Sequence, residues 1–127
     1  MPFDNPPQGP LSDVEILLDA RSRIDDPHCW LKGEFSKENR YSLVAALALA
    51  CRNPQFDEPS RTGRRLILAM ARQLPRGWGR LQRIICFRPM HRLIRFNDSP
   101  RTTHDDVMAL FDRTIQYLAV MAPATLR

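Results

Sequence analysis

Apolar side chains recur at helical spacing in several separate runs of this chain, and the polar residues between the runs carry helix starts and stops. The first run opens at Ser12-Asp13-Val14-Glu15. A Ser-x-x-Glu spacing lets two side chains satisfy each other's free backbone donors at a helix start. Val14, Leu17, Leu18 and Ile24 supply the apolar stripe, and Asp25-Asp26-Pro27 ends it. From about Arg40 to Arg52 nearly every position is apolar and alanine is frequent, which predicts a helix buried on all sides at the centre of a bundle. Asn53-Pro54 closes that run.

Pro59, after Asp57-Glu58, has the place of a first-turn proline. In the helix that follows, Arg61, Arg64, Arg65 and Arg72 share one face, with Leu66, Ile67, Met70 and Leu74 opposite. Pro75-Arg76-Gly77-Trp78-Gly79 is a breaker. After Pro89, Met90, Leu93 and Ile94 line one side of a further helix, and His91, Arg92 and Arg95 the other. The last helix starts at Thr103, carries Val107, Leu110, Phe111, Thr114 and Leu118 on one face, and is expected to fade at Ala122-Pro123. His28 to Phe35 reads as a connector holding two aromatic residues. Ile84-Ile85-Cys86-Phe87 is too short for periodicity to choose between strand and helical turn. The fold expected is an all-α, compact bundle of about five helices, with room for one short extended segment at Ile84–Phe87. Residues 1–10, with four prolines and a glycine, form a flexible arm; residues 11–122 make a single domain and 123–127 a tail.

Composition narrows the class. A chain of 127 residues, 43% apolar and 26% charged, is one ordinary globular domain. It contains no run of about 18 apolar residues of the kind that crosses a membrane. The opening Met-Pro-Phe-Asp-Asn-Pro-Pro lacks the basic start and apolar centre of a secretory leader. Cys29, Cys51 and Cys86 are odd in number and widely spaced, which suits neither a disulfide framework nor a zinc site. A cytoplasmic setting is therefore expected. Cys51 and Cys86 lie inside apolar runs, where a free cysteine is a small core residue. His28 and Cys29 are adjacent, so they do not face one another, and no partner stands at ligand spacing.

The net charge of +5 conceals segregation. Between Pro59 and Arg101 stand eleven arginines and a single acid, Asp98, while residues 1–58 carry −4 and residues 102–127 carry −1. Arg61, Arg64, Arg65 and Arg72 thus form a candidate anion-binding face, continued by Arg76, Arg80, Arg83, Arg88, Arg92 and Arg95. The bland reading of the same face is a solvated one paired to the acidic first half. Trp78, between glycines, either pins a loop to the core or stacks on a partner.

The densest polar stretch is Phe96-Asn97-Asp98-Ser99-Pro100-Arg101-Thr102-Thr103-His104-Asp105-Asp106-Val107. Architecture explains much of it. Asn97 or Asp98 suits a turn after a helix, Pro100 stops that helix, Thr103 caps the next, and Asp106 completes a capping box with Asp in place of Glu. Asp105 and Asp106 also oppose the positive end of the helix dipole. The functional reading instead gathers Asn97, Asp98, Arg101 and His104 as a binding cluster, with Asp98, His104 and Asp105 as the groups an enzyme would use. Adjacent side chains point in different directions on a helix, so His104-Asp105-Asp106 is not a metal set.

The run from Phe96 to Ile115 resembles the C-terminal signature of an uncharacterised family of short bacterial and phage proteins, aromatic-Asn-Asp-x-Pro-x-x-Thr-x-x-x-Val followed by an amphipathic helix. Trp30-Leu31-Lys32-Gly33 and Val44-Ala45-Ala46-Leu47 resemble the family's earlier Trp-x-x-Gly and Gly-Ala-Leu elements. The likeness spans roughly residues 12–120. Where the family often has a cysteine, this chain has Tyr41-Ser42. The resemblance implies no activity. The sequence as a whole suggests a small non-enzymatic binding or accessory protein acting through protein–protein contacts, without cofactor or metal. The alternatives are nucleic-acid or other polyanion binding through the arginines of residues 61–95, and an enzyme with a polar site around Asn97–Asp105. No oligomeric state follows.

Overall fold

Asp13 lies on the buried stripe of the first helix, and it reveals which face that helix turns inward. At about 100° per residue, positions 13, 17, 20 and 24 fall close together. In the computed structural model, which describes residues 10–52, 61–75 and 88–126, α1 (Pro10–Arg23) buries Asp13, Leu17 and Ala20 on that line, and Ile24 just past its end. Leu18, expected in the stripe, is instead 50% exposed. It stands about 100° from Leu17, so one helix cannot bury both at a single flat contact.

A short 3₁₀ turn (Pro27–Cys29) follows, then a hairpin of β1 (Ser36–Lys37) and β2 (Arg40–Tyr41), paired antiparallel with Ser36 opposite Tyr41. The hairpin corrects the expected helix start at Arg40. Its two-residue turn works because Glu38 takes a left-handed φ of 57°, the sign that tight hairpin turns require at their first central residue. Ser42 then caps α2 (Leu43–Ala50), its hydroxyl accepting from Ala45 N at 3.2 Å. Leu43 to Ala48 are all buried, as expected of the central helix.

α3 (Arg61–Arg72) buries Leu66, Ile67 and Met70, and α4 (Pro89–Asp98) buries Leu93 and Phe96. Arg92, expected on the outer face of α4, is also buried. It lies only about 40° from Phe96 around the helix, so the inward tilt that covers the ring takes the guanidinium stem with it. α5 (His104–Leu126) buries Val107, Leu110, Phe111 and Thr114. The threonine hydroxyl donates to Leu110 O at 2.8 Å, the return bond to the preceding turn that lets a helix bury this polar group. α5 remains helical through Pro123, where it lacks one backbone donor, instead of fading there.

The mostly α fold expected from periodicity is therefore the fold observed, with five helices and one small two-stranded sheet among the described residues. α1 lies against both α5 and α2, and α3 packs on α4. Arg21 meets Asp112 while His104 meets Ile24, so α1 and α5 run antiparallel. Pro59, Trp78, Cys86, the Ile84–Phe87 segment and residues 1–9 lie outside the described residues. Among the described residues no helix is long and apolar enough to cross a membrane.

Candidate functional site

The connector between α1 and α2 docks on the turn between α4 and α5, and most of the polar residues in question meet there. Asp26 starts the connector by capping the 3₁₀ turn. Its carboxylate accepts from His28 N at 2.9 Å and pairs with the His28 ring at 3.1 Å, and the backbone bond first, the ring second, hold the Asp26 carboxyl below its ordinary range. His28 is thereby a turn residue. Cys29 next to it is half-buried and free. Burial also pushes the Cys51 thiol up, in keeping with a core role. Among the described residues no three His, Cys, Asp or Glu side chains stand close enough to hold a metal ion.

Asn97 is the centre of the junction and is wholly buried. Its Oδ1 accepts from the Trp30 indole Nε1 at 2.7 Å and from Leu43 N at 3.1 Å. Its Nδ2 donates to Leu31 O at 3.0 Å and to Asp98 Oδ1 at 2.9 Å. This fixes the amide's orientation, because the flipped amide would set its NH₂ against two donors. All four hydrogen-bonding positions are used. One side chain thus ties the connector, the first turn of α2 and the end of α4 together.

Lys32 makes the second tie. Its Nζ donates to Ser99 O at 2.7 Å and Thr102 O at 2.6 Å, with the Trp30 ring 5.2 Å away. The ammonium thus covers two carbonyls of the Ser99–Thr102 turn, where Pro100 interrupts the helix. Gly33 makes the third, donating its N–H to Asp98 Oδ1 at 2.8 Å with a φ of 90° that disfavours any side chain. His104 Nε2 lies 2.7 Å from Ile24 O. A carbonyl only accepts, so Nε2 carries the proton, and the ring closes the end of α1 while lying 5.9 Å from that of Trp30. Thr103 and Asp106 form the expected reciprocal cap, Thr103 N to Asp106 Oδ2 at 2.9 Å and Asp106 N to Thr103 Oγ1 at 3.1 Å.

The four candidate binding residues therefore divide. Asn97 and His104 are committed inward, and His104 bonds neither Asp98 nor Asp105. Asp98 accepts on Oδ1, and its Oδ2 bonds no described residue. Arg101 is exposed, and its guanidinium bonds no group among the described residues. Beside the junction opens a cleft of about 180 Å³, lined by Gly33, Glu34, Phe35, Ser42, Val44, Ile94, Asn97 and Asp98. Val44 and Ile94 form apolar wall, Phe35 stands 39% exposed, and the Asp98 and Glu34 carboxylates supply the charge.

The arginine face divides too. Arg65 makes a forked bond to Asp13, 2.8 Å from Nε to Oδ2 and 2.8 Å from Nη2 to Oδ1, and that bond raises its pKa. Arg61, Arg64 and Arg72 are exposed and pair with no carboxylate among the described residues. Arg76, Arg80 and Arg83 lie outside them.

Compared with known families, residues 9–117 match one described as a family of unknown function, DUF6197. The chain belongs to DUF6197. No curated protein and no solved structure matches it. The DUF6197 match takes in both sides of the junction, from α1 through the connector to α4 and most of α5. Within it, reading the DUF6197 chain by residue type found Asn97, Asp98 and His104 but not Lys32, Gly33 or Ser42. Lys32 and Gly33 stand in the Trp-Leu-Lys-Gly run, and a glycine after a buried-looking tryptophan was the one signal that pointed to them.

Proposed function

We propose that this chain is a small non-enzymatic docking protein that receives a segment of another protein in the cleft beside the Trp30–Asn97 junction. The observation that carries this reading is the cleft itself, open to solvent and backed by a fully bonded asparagine. Its volume of about 180 Å³ lies below the roughly 300–1,000 Å³ of a typical cofactor or metabolite pocket. It suits one inserted side chain flanked by surface contacts. His104, one of the three groups that an acid–base mechanism would draw on, supports the same reading, since its ring bonds Ile24 O and neither Asp98 nor Asp105. Replacing Phe35 at the cleft mouth by the photo-crosslinking residue p-benzoylphenylalanine, in cells of the source organism, tests it. A discrete protein adduct at position 35, absent when the probe replaces Arg113, is the expected result. Equal adducts at both positions, or none at position 35, would sink the reading.

A second reading rests on α3, where Arg61, Arg64 and Arg72 are exposed without carboxylate partners among the described residues. Three such cations on one face suit a polyanion such as nucleic acid. Fluorescence anisotropy with labelled single- and double-stranded oligonucleotides at low salt decides it. Binding tighter than about 10⁻⁴ M that weakens steeply with salt supports it, and binding unchanged by Arg64→Ala and Arg72→Ala removes it.

A further inference from the structure

We infer that the cleft is a receptor for one cationic side chain, an arginine or lysine, presented by the partner polypeptide. This rests on the docking reading above and adds the chemistry of what is docked.

Asp98 is held from within. Gly33 N at 2.8 Å and Asn97 Nδ2 at 2.9 Å both donate to its Oδ1, while Oδ2 accepts from no described residue. A carboxylate oriented by two donors on one oxygen is pre-set to receive a third on the other. Glu34, exposed at the mouth, adds a second negative charge. Among the described residues no lysine or arginine lines the cleft. Of the basic groups near in sequence, Lys32 covers the Ser99 and Thr102 carbonyls and Arg40 donates to Trp30 O at 3.3 Å, while Lys37, Arg95 and Arg101 form no ion pair with Asp98 or Glu34 among the described residues. The negative charge of the cleft is therefore not neutralised by those neighbours.

The walls complete the match. Val44 and Ile94 offer aliphatic surface and Phe35 an exposed aromatic ring. Arginine and lysine carry three- and four-carbon stems that pack on such surface while the charged head finds an acceptor, and a guanidinium gains further on an aromatic face. A neutral apolar side chain would fill the same walls but leave Asp98 in a newly dried pocket without a partner. A polypeptide source is favoured over a free cation because the Gly33–Phe35 backbone borders the cleft, and there the Glu34 N–H and C=O bond no described group and can pair with a chain laid alongside.

The test is a titration of the ¹⁵N-labelled full chain, followed by its amide resonances. The probes are blocked pentapeptides, Ala-Ala-X-Ala-Ala, with arginine, lysine, citrulline or norleucine at X. Arginine and lysine peptides are expected to shift Gly33, Glu34, Phe35 and Asp98 saturably, and to bind about tenfold tighter than the citrulline and norleucine peptides. Asp98→Asn keeps an oxygen for the Gly33 donor and is expected to weaken the arginine peptide about tenfold. Glu34→Gln, at an exposed position where folding is not at issue, is expected to weaken it by a smaller factor and to flatten its salt dependence. Equal binding of the citrulline peptide, or unchanged binding to Asp98→Asn, overturns the inference while leaving a neutral docking segment and the crosslinking result standing. Free arginine amide binding as tightly as the peptide overturns the polypeptide source. Shifts of the same resonances with protein concentration alone would replace the partner by a second copy and overturn it likewise.

Discussion

Asn97 shows what one buried amide can hold. Alanine at this position would strand the Trp30 indole N–H, the Leu43 N–H and the Leu31 carbonyl, each buried or half-buried. A stranded buried group costs about 1–3 kcal/mol, less where water reaches it. Asn97→Ala is therefore expected to lower stability by roughly 3–4 kcal/mol, read as a drop in the urea midpoint with an unchanged slope. A loss below about 1 kcal/mol would mean that water replaces the amide and that the junction is not organised by it. Little of this was legible beforehand. The Thr103–Asp106 cap could be read from spacing because both partners sit three residues apart. The bond from Trp30 to Asn97 spans 67 residues, and no local rule relates positions so distant. Sequence marked Asn97 as a polar residue in an odd place and left open whether it faced inward.

At the scale of elements, the end of α2 shows how a helix backbone is closed. Arg52, just past the α2 cap at Cys51, takes a φ of 60° and donates its N–H to Leu49 O at 3.0 Å. That is the left-handed stop which glycine adopts without steric cost. Arg52→Gly is expected to raise the melting temperature, with a gain of about 0.5–1 kcal/mol. An unchanged or lower melting temperature would show that the arginine side chain stabilises the stop. The existence of the helices was readable because their apolar periods are long. The hairpin was not, because Glu38 holds the left-handed position without the glycine or asparagine that usually signals it. Leu18 was placed inward because periodicity alone cannot choose between neighbouring stripes. Asp13 settles the choice, and its burial depends on Arg65 from another helix.

In the molecule as a whole, Asp13–Arg65 is the ion pair among the described residues that joins the acidic first half to the arginine-rich middle. The Asp13 side chain is 6% exposed and that of Arg65 47%. Removing the arginine leaves a nearly buried carboxylate without its cation, whereas removing both leaves an apolar gap. Arg65→Ala alone is expected to cost about 1–2 kcal/mol, discounted from the fully buried range because the guanidinium faces water. The Asp13→Ala, Arg65→Ala double variant should be less destabilised than the sum of the singles, and additive losses in a double-mutant cycle would refute the pairing. The same tie accounts for one arginine of the α3 face and leaves Arg61, Arg64 and Arg72 exposed. The acidic half thus supplies a carboxylate to Arg65, and Arg61, Arg64 and Arg72 form no ion pair among the described residues.

The spans of these bonds also set an order of events on the ribosome. Trp30, Lys32, Gly33 and Ile24 leave the exit tunnel early, yet their partners lie 67, 67 to 70, 65 and 80 residues downstream. Until the α4–α5 turn emerges, the indole, the ammonium and the Ile24 carbonyl have only water as partner, and the helices made so far lack α5 to cover them. Helical bundles with local contacts fold fast, and closing long loops slows them. The faces of α1 and α3 that α5 covers thus stay open to water during synthesis until the residues of α5 arrive.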